Sequence, residues 1–148
     1  MADGMDSQTL SNAFIKGDRS LKDVRDNMDH GRYSVGMKTA SIAQADYLLV
    51  VSKMRGKAFT AKAMDMDYLS ETKEWNGYDF DGDSRYENVI LNHGTNVIWK
   101  KLKFIDKTLP YELAKKDLYT KIDKVCNYLG MVFHRFIEKG SLIIKVQG

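Results

Sequence analysis

Proline is almost missing from this chain: of 148 residues only Pro110 is one. Interior proline costs about 3 kcal/mol per helix position, so its scarcity leaves long helices open. Cysteine is as rare. Cys126 stands alone, which excludes an internal disulfide and fits a reducing, cytoplasmic compartment. Long apolar runs are lacking too. The longest, Tyr47–Val51, is far short of the roughly 20 residues that span a bilayer, and the acidic start Met-Ala-Asp-Gly-Met-Asp does not read as a secretory signal. No membrane partner is expected. The histidines are His30, His93 and His134, none of them near another His or Cys at the spacing zinc requires. No nucleophile elbow, Walker loop or Rossmann fingerprint occurs, and Gly77, Gly82 and Gly94 are too scattered to cradle a phosphate. Cofactors are therefore expected to be none.

What is present suits one globular domain over residues 1–148. Hydrophobic residues make up 43% of the chain and charged residues 29%, enough to bury about two-thirds of the unfolded surface and too balanced for disorder. The net charge of +3 is segregated: residues 1–30 carry −2, 31–63 carry +5, 64–90 carry −6 and 91–148 carry +6. Blocks of this kind either steer a partner or attract one another within the fold.

Apolar spacing predicts a helix over Ser7–Lys16 with Leu10, Phe14 and Ile15 inward. A second helix follows the capping box Ser20-Leu-Lys-Asp23, and Gly31 ends it. A long central helix is expected from Met37 to Met54, through Ala40, Ile42, Ala43, Tyr47, Leu48 and Val51. After Gly56 another is expected over Lys57–Thr72, with Phe59, Ala63, Met66 and Leu69 inward. Trp75–Ser84 reads as a turn leading into a second capping box, Ser84-Arg-Tyr-Glu87. Asn96–Ile105 fits a helix better than a strand. From Pro110 a helix runs to Leu129, where Gly130 stops it. Met131–Ile137 and Leu142–Val146 then flank Glu138–Ser141 as a β-hairpin, with Gly140 in the positive-φ position of its turn. The expected fold class is thus α+β: a mostly helical single domain with a C-terminal hairpin, whose last third has winged-helix order.

Two constellations bear on chemistry. Asp79, Asp81 and Asp83 alternate in the acidic turn, and alternate aspartates can converge oxygens on a hard cation. The EF-hand pattern fails here, because Ser84 stands where glycine is needed and Ile90 where the bidentate glutamate belongs. The same aspartates are similar to the DxD core of haloacid-dehalogenase-type phosphatases, but Glu74–Tyr78 is not the apolar strand that such a core follows. A solvated turn is the plainer reading. His93-Gly-Thr95 resembles the histidine motif of some ADP-ribosyltransferases over three residues only, and Cys126 lies on an apolar helix face as a small hydrophobe.

The second constellation is basic. Helix, helix and hairpin after residue 96 resemble a winged-helix module, in which a recognition helix enters the major groove. On that reading Lys115, Lys116, Lys121, Lys124, Arg135 and Lys139 meet phosphates and Asn127 reads an adenine edge. The pattern departs from helix-turn-helix sequence where Leu118 replaces a glycine, and Pro110–Gly130 also reads as one unbroken helix.

In the absence of a catalytic motif, the leading expectation is a non-enzymatic interaction or adaptor protein, in character a phage or mobile-element accessory protein, whose partner is another protein or a second copy of itself. Nucleic-acid binding through the basic C-terminal region is the alternative. A small metal-dependent enzyme centred on Asp79, Asp81 and Asp83 comes third.

Overall fold

The computed structural model describes residues 3–14, 36–73, 78–79 and 93–146, with the side chains of 78–79 left out. The chain falls into two compact units, Met1–Phe104 and Ile105–Gly148.

The first unit is built on an antiparallel sheet. Helix α1 (Ser7–Phe14) is followed by α2 (Gly36–Gln44), β1 (Ala45–Lys53), β2 (Phe59–Asp65), α3 (Met66–Thr72), β3 (Tyr78–Asp79) and β4 (Gly94–Leu102). The strand order is β3-β2-β1-β4. β1 pairs with β2 through a hairpin in which Lys53 faces Phe59, and with β4 so that Leu48 faces Trp99 and Val50 faces Val97. Gly56, at φ 73°, supplies the left-handed residue of the hairpin turn.

This arrangement corrects the expected one. Met37–Met54 is a helix only as far as Gln44 and then a strand. The reason is burial on both faces: Leu48, Leu49, Val50, Val51 and Ser52 are all buried in succession. A strand covered on both sides reads as a continuous apolar run, which helical spacing also fits. Lys57–Thr72 is likewise divided between β2 and α3. Its Phe59, Ala61 and Ala63 alternate along one sheet face. Asn96–Leu102 is strand, because Val97, Ile98 and Trp99 suit a pleated, half-covered surface.

The core has two layers. On one sheet face Leu48, Val50 and Met64 meet Leu10 and Phe14 of α1 and Leu69 of α3, with Met37 and Ile42 of α2 against them. On the other face Leu49, Val51, Ala61 and Ala63 gather with Tyr47, Phe59 and Ile98. The α1 helix starts where Asp6 accepts the Thr9 amide at 2.9 Å, and α3 where Asp65 accepts the Asp67 amide at 3.0 Å. Lys101 binds both Asp65 and Asp67 at 3.1 and 2.6 Å, and these bonds raise its pKa, Asp67 more than Asp65.

The second unit is one long helix, α4 (Tyr111–Glu138), with short flanks. Pro110 opens it, accepting the Leu113 and Ala114 amides at 3.0 Å. Upstream, Asp106 accepts the Thr108 hydroxyl at 2.6 Å and its amide at 2.9 Å, which lowers its pKa. α4 passes through Leu118 and Gly130 unbroken and buries no residue. The expected hairpin is therefore absent: Met131–Glu138 is helical, and Leu142–Val146 has no regular structure. Gly140 does take positive φ, at 66°, but as a helix terminator. Its amide donates to the Ile137 carbonyl and that of Ser141 to Phe136, both at 3.0 Å, a Schellman ending. With no turn near Leu118 and no hairpin, the winged-helix order is overturned.

The helix predicted after Ser20, the capping box at Ser84 and most of the Trp75–Ser84 turn lie outside the described residues.

Candidate functional site

Two features of the sheet unit join backbone to charge closely enough to form a site. The first is a polar knot at one end of the sheet. Gly4, at φ 77°, presses against the Lys53 and Gly94 carbonyls so closely that a Cβ there would collide with the Lys53 backbone. That contact brings the Met5 amide to donate to Ser52 Oγ at 2.7 Å. Ser52, fully buried in β1, donates to the Gly94 carbonyl at 3.1 Å and shares a 2.7 Å hydrogen bond with the Thr95 hydroxyl. Around this knot Lys57 binds Asp6 at 2.8 Å and Arg55 meets His93 Nε2 at 2.9 Å. The Lys57 bond, with those from Thr9, holds the Asp6 carboxyl far below the usual carboxylate range. The segment leading into α1 is thereby fixed to the sheet.

The second feature is α2. Its C-terminal end is closed by Lys103, whose amide donates to the Gln44 carbonyl at 2.9 Å. The Lys103 ammonium donates to the Ile42 carbonyl at 2.7 Å and pairs with Asp46 at 2.9 Å. Cations suit that end of the helix dipole. The N-terminal end begins with Gly36 and has no acidic residue in its first turn. Among the described residues nothing lies within 4 Å of where a Gly36 Cβ would be. Two residues on, Lys38 is buried, only 6% exposed, and Ser41 is buried one turn later. A lysine in the first turn and no carboxylate there is a charge balance that suits an anion at a helix start.

The residues singled out from sequence fall elsewhere. Asp79 lies in β3, opposite Lys62, while Asp81 and Asp83 are outside the described residues. Among the described residues no three His, Cys, Asp or Glu side chains group as a metal site, and no helix is long and apolar enough to cross a membrane. Lys115, Lys116, Lys121, Lys124, Asn127 and Arg135 all sit on α4, with Lys139 at its C-cap. At about 100° per residue, Asp117, Asp123 and Glu138 fall among these cations rather than opposite them. Lys121 is held by Asp117 at 2.6 Å. The positive face is interrupted.

Sequence reasoning missed Gly36 and Lys38. The signal was present: Gly36-Met-Lys38-Thr39 places glycine, lysine and a hydroxyl at the start of an apolar-periodic stretch. Weighing only the glycines of the acidic turn and His93-Gly94 passes over it.

No curated protein and no solved structure matches the chain. One family model does, over residues 2–95, which is more than half the chain and nearly all of the sheet unit. The match overturns the non-enzymatic adaptor reading, the phage-accessory character and nucleic-acid binding as the alternative, and points instead to an ATPase-type function. By the family's description, the chain belongs to the histidine kinase-, DNA gyrase B- and HSP90-like ATPases.

Proposed function

We propose that the sheet unit binds ATP and acts as an ATPase-type domain, with the start of α2 receiving the phosphates. The observation that carries this reading is the family match over residues 2–95. An ATPase must hold a polyphosphate anion. Among the described residues, the α2 N-terminus combines the open side of Gly36, buried Lys38 and the absence of an acidic first turn. The Gly4–Ser52 knot keeps the neighbouring α1 entry fixed against the sheet. A cytoplasmic setting accompanies the proposal, supported by the single unpaired cysteine.

The test is titration of a fluorescent ATP analogue with magnesium present, paired with phosphate release. Gly36→Glu is the discriminating variant. A carboxylate at the first turn favours the helix itself and its Cβ meets no neighbour among the described residues, so the variant is expected to keep its fold while repelling phosphate. We expect at least a tenfold weaker Kd, on the order of the 1.4 kcal/mol that such charge effects reach, with an unchanged circular-dichroism spectrum. Equal affinity in both proteins would move the phosphates away from α2. No binding by the parent at millimolar nucleotide would remove the ATP reading altogether.

A further inference from the structure

We infer that Lys103 is a positioning residue for nucleotide binding: it holds the rear of α2 to the sheet and so sets where the front of that helix stands. This rests on the proposal above that the start of α2 receives the phosphates, and it names the residue outside α2 on which that start depends. α2 is too short to hold itself. It has nine residues, about 13 Å of length, fewer than the roughly 12–15 at which a helix persists without tertiary support. It also passes into β1 with no loop between Gln44 and Ala45. Where its front end stands is therefore decided by what grips its body and its rear.

The body is gripped by the core, against which Met37 and Ile42 pack. The rear is gripped by Lys103. The last four carbonyls of a helix have no partner within it, and here Lys103 takes two of them. Its amide donates to the Gln44 carbonyl at 2.9 Å, which carries the β1–β4 ladder one step past the Ala45–Leu102 pair. Its ammonium donates to the Ile42 carbonyl, 61 residues away in the chain, at 2.7 Å and pairs with Asp46 at 2.9 Å. One side chain thus ties the last turn of α2 and the first turn of strand β1 to the end of β4. Lys101, two residues earlier, supplies an internal comparison. Its side chain is about as exposed as that of Lys103, 43% against 39%, and is likewise paired with carboxylates, at Asp65 and Asp67. Those carboxylates belong to the start of α3. The two lysines differ in which helix they hold.

The experiment is titration of the full chain with a fluorescent ATP analogue and magnesium, comparing the parent with Lys103→Met, Lys103→Arg and Lys101→Met. Methionine keeps the apolar stem and the backbone amide of Lys103 but removes the charge and the side-chain donor. Lys103→Met is expected to weaken Kd roughly three- to tenfold, the range reached by residues that act on a site without touching its ligand. Lys103→Arg keeps a cationic donor and should recover most of that affinity. Lys101→Met, which also loses an ion-paired ammonium, should leave Kd unchanged. Lost stability alone would act on both methionine variants alike, so equal weakening by the two overturns the proposal. An arginine variant as weak as Lys103→Met overturns it too, because the donor is then not what acts. A third overturning result is a Lys103→Met protein that binds like the parent while Gly36→Glu does weaken binding; that outcome spares the phosphate reading of α2 and removes only the part given to Lys103. If Gly36→Glu is itself without effect, the reading of α2 has failed and the role of Lys103 falls with it. Circular dichroism of each variant confirms that the fold is retained.

Discussion

The sheet unit and the α4 unit have similar apolar resources and use them differently. Every buried apolar side chain among the described residues lies between Leu10 and Leu69, while α4 carries Leu, Ile, Val, Phe and Tyr along its length and buries none of them. The sheet is held by partners distant in sequence, such as Leu48 against Trp99 and Gly4 against Lys53. The helix is held by bonds to residues four away and by its own ends. Order in the first unit therefore depends on tertiary packing and in the second on local propensity.

Leucine truncation gives the sharpest break between the two. Leu48→Ala empties a site that is 2% exposed beside Leu10 and Met64, and should destabilise the sheet unit by about 2–5 kcal/mol in urea unfolding. Leu113→Ala on α4, where the leucine is 53% exposed, should change stability by less than about 0.5 kcal/mol. Comparable losses at both positions would mean that α4 has a core of its own.

Glycine repeats the contrast with opposite signs. Gly4→Ala forces a side chain into the Lys53 carbonyl at positive φ. Backbone strain alone costs about 1–3 kcal/mol, and the collision adds to it. Gly130→Ala, inside α4 with nothing among the described residues within 4 Å of the new Cβ, should stabilise that helix by roughly 0.5–1 kcal/mol. Thermal melts followed by circular dichroism would read both. A neutral Gly4→Ala would show that the knot around Ser52 is looser than its hydrogen bonds indicate.

This contrast also explains what could be read from sequence. Local features were legible: the start of α1 at Ser7, burial of Leu10 and Phe14, and the helix opening at Pro110. Gly140 was assigned its positive φ but the wrong role, since an αL glycine serves a hairpin turn and a Schellman ending alike. The strands were not legible. The apolar residues of β1 satisfy helical spacing because both of its faces are covered, and the partners that cover them are far away in the chain. Met131–Ile137 has β-rich composition, yet Val132 and Phe136 continue the stripe of a helix already formed. The start of α2 went unread for the same reason. Gly36 and Lys38 acquire meaning only once α2 ends at Gln44 and its opposite pole is seen to be closed by Lys103.

Asn96 offers a smaller effect within the sheet. Its side-chain amide nitrogen is buried and makes no hydrogen bond, in β4 opposite Val51. An unsatisfied buried donor costs about 1–3 kcal/mol, and valine suits a strand better than asparagine. Asn96→Val should therefore raise the unfolding free energy of the sheet unit by about 1 kcal/mol. A loss instead would assign the amide a polar partner.

The smallest effects concern two carboxylates that are both held below their ordinary pKa for different reasons. Asp6 is bound first by Lys57, 51 residues away, and then by Thr9. Asp106 is bound by Thr108, two residues on. A depressed pKa in the folded state stabilises the protein at pH above the unfolded carboxylate value near 4 and is lost as pH falls below it. Acid should therefore weaken the parent more than Asp6→Asn, with the gap between them shrinking steadily from about pH 4 downward. Because the pair is partly exposed, salt should narrow the gap as well. Asp106→Asn should leave the acid dependence of sheet unfolding unchanged, since its bonds order only the turn before α4. Urea midpoints between pH 2 and 7 for the three proteins decide it. If Asp106→Asn shifted the sheet's acid transition as much as Asp6→Asn, the two units would unfold as one, and the division between distant and local stabilisation would fail.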